Sequence, residues 1–87
     1  MSKWGGDRVT RARAALSARV DWPTPCVRCG RPVFPTAWHL DHIPSRAQLD
    51  PAEWDDPAHH YVAHIRCNTR AGAIAGNRAR SSAARRR

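Results

Sequence analysis

Two short pairs of metal-binding residue types constrain this chain more than anything else in it. Cys26-Val27-Arg28-Cys29 comes first, and His64-Ile65-Arg66-Cys67 follows after an intervening segment, residues 30–63. With 87 residues in all, the chain forms one domain at most, and its core is thin. Domains below roughly 70–80 residues usually need a staple. Zinc takes sulfur and imidazole ligands in tetrahedral geometry, and a structural site fills all four places with protein. Cys26, Cys29, His64 and Cys67 make such a set, with Cys26-x-x-Cys29-Gly30 as a knuckle. Gly30 supplies the permissive backbone needed just after the second sulfur. His59 or His60 could replace His64 as the fourth ligand. The zinc reading uses every cysteine, whereas an odd number does not suit a disulfide framework. Its competitor is a redox pair at Cys26 and Cys29 with Cys67 as a small buried hydrophobe, but no thioredoxin-like βαβ pattern surrounds the motif.

The start of the chain, MSKWGGDRVTRARAAL, lacks the apolar stretch of a secretory signal. No segment approaches the ~18 apolar residues of a membrane span. The expectation is a cytoplasmic protein with reduced thiols and no membrane association.

Charge points to a polyanionic partner. Fifteen basic residues face seven acidic ones, a net +8. The excess is concentrated at the end: from Arg66 onward there are seven arginines and no acid. Such a distribution favours nucleic acid first and an anionic membrane second. An Arg- and Ala-rich chain is also what a GC-rich genome produces.

The pattern along the chain predicts a small α+β domain. Asp7–Val20 is rich in helix formers, with Val9, Ala12, Leu16 and Val20 on one stripe and Asp7 as N-cap. This basic helix is expected to cover the core. Arg31–Phe34 reads as a short extended run, and Ala37–Leu40 as a strand leading into Asp41-His42-Ile43, with a turn at Pro44. Residues 45–58 form an acidic loop with one helical turn around Pro51–Trp54. From about His60, the spacing of Tyr61, His64, Ile65 and Asn68 predicts a helix that stops near Gly72. A further short helix over Ala73–Arg80 and a disordered basic tail complete the expectation. Trp38 is expected in the core, and His39 at the surface or behind the ligands.

A second constellation lies between the halves of the zinc set. Asp41 offers a carboxylate and Asn68 a carbonyl oxygen, which suit a hard cation such as Mg2+. His42 points to the other side of the backbone, where a neutral imidazole can take a proton from water. An Asp-His dipeptide is common by itself. The ordered set of knuckle, strand, Asp41-His42-Ile43-x-Ser45-Arg46 and Ala63-His64-x-x-Cys67-Asn68-x-Arg70 is not.

In these motifs, over about Cys26–Gly72, the chain resembles the HNH endonucleases, the ββα-metal nucleases, and most closely their small zinc-containing phage and actinobacterial members. The resemblance implies a β-hairpin and helix around a divalent ion, with a structural zinc on Cys26, Cys29, His64 and Cys67. It implies His42 as general base, and Asp41 and Asn68 as ligands of a catalytic Mg2+ or similar ion. The family's middle asparagine, which braces the catalytic loop, has His59 in its place; His59 is expected to brace that loop or to contact metal or phosphate. The usual Gly-Gly after Asp-His is replaced by Ala47-Gln48. Residues 1–21 are then an N-terminal helix on the core, 22–76 the nuclease domain and 77–87 a basic tail. Arg66, Arg70, Arg78 and Arg80 are the expected phosphate contacts. The implied activity is DNA cleavage or nicking with low intrinsic sequence selectivity. The implied partners are DNA and, from the family's phage members, a packaging terminase. The alternative from another class is a non-catalytic zinc module that binds nucleic acid or protein.

Overall fold

The Ala- and Arg-rich N-terminal run folds as helix α1, Gly6–Arg19, in the computed structural model, which describes residues 4–72. Its N-cap is Gly5 and not Asp7, the residue expected there. Asp7 sits in the first turn and Arg19 in the last, so each charge complements the helix dipole at its own end. Leu16 is buried, and Ala12 and Val20 pack against the same core. The helix's arginines are turned to internal use. Arg13 donates from Nη1 to the Trp38 carbonyl at 2.8 Å, with its guanidinium carbon 4.1 Å from the centre of the Trp38 ring. Arg19 Nη2 donates to the Pro57 carbonyl at 2.9 Å.

Two antiparallel hairpins follow. Strands β1 (Thr24–Pro25) and β2 (Pro32–Val33) flank the knuckle, with Thr24 opposite Val33 and Pro25 opposite Pro32. Gly30 has φ +78°, and its amide donates to the Cys26 carbonyl at 2.8 Å, which closes the turn as its position after Cys29 predicts. Strands β3 (His39–His42) and β4 (His60–Ala63) form the second hairpin, pairing His39 with Ala63, Leu40 with Val62, Asp41 with Tyr61 and His42 with His60. Val27 N donates to the Val62 carbonyl at 2.9 Å, so the knuckle docks on β4.

Helix is expected from about His60, but residues 60–63 are strand β4, and a second helix, α2, covers residues 65–72. The i, i+3, i+4 spacing of Tyr61, His64 and Ile65 is coincidental. In the strand, His60, Val62 and Ala63 are buried and Tyr61 is exposed, and the segment satisfies its backbone groups on β3.

Strand alternation gives the β3–β4 hairpin two faces. Leu40, His42, Val62 and His60 share one, and Leu40 and Val62 belong to the buried cluster that Leu16 of α1 enters. His39 and Asp41 share the other, where the knuckle and α2 reach them. Val33 and Trp38 complete the core, Trp38 as expected, with Trp22 packed against it at 5.5 Å between ring centres.

The β3–β4 connection is built from three single 3-10 turns, Arg46–Gln48, Pro51–Glu53 and Pro57–His59, more order than the one turn expected. Its acids act as caps: Asp50 accepts from the Ala52 amide and Asp56 from the Ala58 amide. Arg8 of α1 ties the loop down through both carboxylate oxygens of Asp55, at 3.1 and 2.7 Å. The segment Ala73–Arg80 and the tail lie outside the described residues.

Candidate metal centre and the Asp41–His42 site

Cys26, Cys29, His64 and Cys67 converge, with their ligand atoms all within 4.8 Å of one another. A tetrahedral zinc with Zn–S near ~2.3 Å sets sulfurs roughly 3.8 Å apart, so the four donors need only small adjustments to close on one ion. His64 is the fourth member, and neither His59 nor His60 belongs to the group. The knuckle supplies two sulfurs. His64 lies at the junction of β4 and α2, and Cys67 in the first turn of α2. This differs from the expected placement of both on one helix.

The tautomer of His64 is set by its surroundings. Its Nε2–H donates to the Pro32 carbonyl of β2 at 3.0 Å, leaving Nδ1 for a metal. Nδ1 lies 3.3 Å from Cys29 Sγ and 3.7 Å from Cys67 Sγ. Cys26 Sγ accepts from the amides of His64 and Arg28, both at 3.4 Å. Burial pushes the Cys26 thiol up, but hydrogen bonds from the His64, Cys29 and Arg28 amides and the Cys29 side chain outweigh it and bring the pKa to about 6. Burial pushes Cys67 up, and the neighbouring Cys29 and Cys26 sulfurs add to the shift. A metal takes cysteine as thiolate, so a cation closing this donor set displaces thiol protons. All three cysteines are free thiols around one point with His64. That arrangement fits zinc better than a two-cysteine redox pair.

Across the hairpin, His42 is buried at the end of β3. Its Nε2–H donates to the Trp54 carbonyl at 3.0 Å, and His60 Nε2–H donates to the same oxygen at 2.8 Å. Both rings thus carry their proton on Nε2, and Nδ1 of His42 holds the lone pair. The two imidazoles meet edge to face at 5.0 Å, and Trp4 closes on His42 at 4.6 Å. Burial lowers the pKa of His42. The hydrogen bond to the Trp54 carbonyl opposes this, the charge interactions with His60 and Arg46 lower it further, and Asp41 raises it.

Asp41 faces the opposite way and is nearly inaccessible. Both its oxygens are taken by one guanidinium: Arg28 Nε donates to Oδ2 at 2.6 Å and Arg28 Nη2 to Oδ1 at 3.0 Å. Asn68 Nδ2–H donates to His39 Nδ1 at 3.1 Å, which leaves the Asn68 carbonyl oxygen available. His39 is on the same strand face as Asp41, so this contact brings α2 to that face. A carboxylate and an amide oxygen suit a hard divalent cation, although Arg28 occupies the carboxylate's coordinating positions.

The sequence expectation puts the loop brace at His59. The imidazole that reaches the loop carbonyl is that of His60, while the His59 ring lies 4.0 Å from the Asp56 carboxylate. A helix starting at residue 60 hides this role. As a strand residue, His60 pairs directly with His42. Arg28, inside the knuckle, and His39, two residues before Asp41 on a strand, carry signals of spacing alone. Arg66 and Arg70 are exposed on α2 and border an open depression of about 600 Å³ with Ala37, His64, Ile65 and Thr69. Arg78 and Arg80 lie outside the described residues. Among the described residues no helix is long and apolar enough to cross a membrane. No protein-family model, curated protein or solved structure matches the chain.

Proposed function

We propose that this protein is a metal-dependent DNA endonuclease or nickase of the HNH, or ββα-metal, type, with a zinc clip separate from its reaction site. The observation that carries the reading is the buried His42 imidazole. Its Nε2 is tied to the Trp54 carbonyl, its Nδ1 keeps the lone pair, and its pKa is lowered, so it is neutral and basic at pH 7. The strand–loop–strand–helix order of β3, the 3-10 loop, β4 and α2 supports it, with Asp41 on the strand and Asn68 on the helix.

In this reading Nδ1 of His42 takes a proton from water as the water oxygen bonds to phosphorus and the P–O bond to the 3′ oxygen breaks, the leaving 3′ oxygen taking a proton from solvent water. By the resemblance to the HNH nucleases, the products carry 5′-phosphate and 3′-hydroxyl ends. Asp41 and Asn68 would hold a divalent ion such as Mg2+, which would supply stabilisation of the charge that develops on the phosphodiester. His60, in place of His59, shares the Trp54 carbonyl and braces the loop that orients His42. His39 holds the amide of Asn68. Arg66 and Arg70, with Arg78 and Arg80, bind phosphates without reading bases, so selectivity comes from a partner such as a packaging terminase.

One observation favours a second reading, a zinc module that binds DNA or protein without cutting it: Asp41 is fully paired with Arg28. A plasmid-nicking assay with Mg2+, Mn2+ or EDTA separates the two. The nuclease reading expects metal-dependent relaxation of supercoiled plasmid that His42→Ala reduces at least a hundredfold, in line with the ~100–10,000-fold contribution of a general base. Cutting at the wild-type rate by His42→Ala contradicts the mechanism, and DNA binding without cutting under any metal selects the module.

A further inference from the structure

The Arg28–Asp41 pair joins the two halves of the molecule. Arg28 is placed by the knuckle, between the two sulfurs, and its amide is fixed on Cys26 Sγ. Its side chain is 36% exposed, whereas that of Asp41 is 5% exposed. The guanidinium therefore plugs a buried carboxylate from the solvent side. A divalent cation on the same oxygens and the bidentate guanidinium exclude one another, by geometry and by like-charge repulsion. A phosphodiester presents forked oxygens to Arg28 much as Asp41 does.

Resting on the nuclease reading, we propose that Arg28 is an exchangeable counter-ion that keeps Asp41 closed to divalent cations until a DNA phosphate takes the guanidinium. DNA and metal then bind cooperatively. Arg28 moves from carboxylate to phosphate, Asp41 receives the metal, and neither Asp41 nor the guanidinium is left buried without a partner. Linkage makes the effect reciprocal: DNA tightens the metal site by the factor by which metal tightens DNA. The zinc knuckle gains a role beyond stability, because it sets the reach of the residue that guards the reaction site.

The test is Mn2+ binding to zinc-loaded protein, followed by electron paramagnetic resonance, for wild type, Arg28→Gln and Asp41→Asn. Labelled-duplex anisotropy with and without Mn2+ runs alongside, in a His42→Ala background that keeps the duplex intact. For Arg28→Gln without DNA, Mn2+ binding about tenfold or more tighter than wild type is expected, with loss in Asp41→Asn. In the anisotropy arm, Mn2+ should tighten duplex binding about 5- to 150-fold when Arg28 is present, the usual range of site coupling, and leave it unchanged in Arg28→Gln. Equal Mn2+ affinity in wild type and Arg28→Gln overturns the exchange while leaving the nuclease reading intact. If no Mn2+ site sensitive to Asp41→Asn exists in any variant, with or without DNA, both readings are overturned. Zinc content of one per chain confirms that Arg28→Gln folds. If it does not, Arg28→Lys, which keeps the charge but not the fork, is expected to bind Mn2+ severalfold tighter than wild type, and equal affinity there overturns the exchange as well.

Discussion

Removing zinc should release the knuckle hairpin from the rest of the molecule, and the structure gives the size of the effect. Residues 24–33 contribute only Cys26 and Val33 to the buried core. Val33 is worth roughly 1.5–3 kcal/mol when fully buried, and the Val27–Val62 hydrogen bond about 0.5–1.5 kcal/mol. Against this stands the ordering of ten backbone residues at roughly 1–2 kcal/mol each. The shortfall, on the order of 10 kcal/mol, is what a structural zinc supplies, at about 10–16 kcal/mol apparent. Chelation under reducing conditions should therefore strip protection from the hairpin amides in hydrogen exchange. Because Arg28 leaves with the hairpin and Val62 loses its cover, the near-ultraviolet signal of Trp38 and Trp22 should collapse too. One equivalent of zinc should restore both. Hairpin amides that stay protected in protein holding less than about a tenth of an equivalent of zinc would show that the metal is not the staple.

Other perturbations probe single parts of the molecule. The ring resonances of His42 should titrate below the ordinary imidazole value of about 6.5. Because the fold disfavours its protonated form, the stability linked to His42 is present above that value and lost as pH falls from it toward the lowered one; a midpoint at or above the ordinary value contradicts the effect of burial. Gly30→Ala meets no atom within 4 Å at φ +78°, so its effect is conformational, about 1–2 kcal/mol, and should appear as zinc affinity weakened roughly 5- to 30-fold in a competition titration. Replacing Arg66 and Arg70 by Gln should weaken duplex binding without regard to sequence, and the salt slope should fall by about one for each arginine that had engaged a phosphate; an unchanged slope removes α2 from the DNA interface.

What the sequence made legible follows from how local each signal is. The ligand set was readable because zinc chemistry limits the residue types and the x-x spacing limits the geometry; the convergence of Cys26, Cys29, His64 and Cys67 needed no knowledge of the intervening fold. Helix α1 and strand β3 were readable from propensity and alternation. Strand β4 was not, because four residues running into a helix share its 3.6 period by chance, and only pairing with β3 distinguishes them. The same ambiguity concealed His60, whose partner His42 is a neighbour in register and not in sequence. Arg28 was concealed for a similar reason. Its salt bridge to Asp41 spans thirteen residues and depends on how the knuckle docks on β4, which no local pattern encodes. The acidic loop showed only one of its three turns in the sequence because its order comes from Asp side chains capping single turns rather than from a repeating pattern.

One small fold, in this proposal, keeps a zinc clip and a separate, hydrolytic metal position on the same face of a single hairpin, with His42 on the other face. Anomalous diffraction from co-crystals of the zinc-loaded His42→Ala protein with duplex DNA and Mn2+ would locate both ions in one experiment. A zinc peak is expected within bonding distance of Cys26, Cys29, Cys67 and Nδ1 of His64. A manganese peak is expected on Asp41 and the carbonyl oxygen of Asn68, with Arg28 turned to a phosphate. No manganese on Asp41 in the DNA-bound crystal, with Arg28 still paired to it, would leave the zinc clip standing and remove the hydrolytic site.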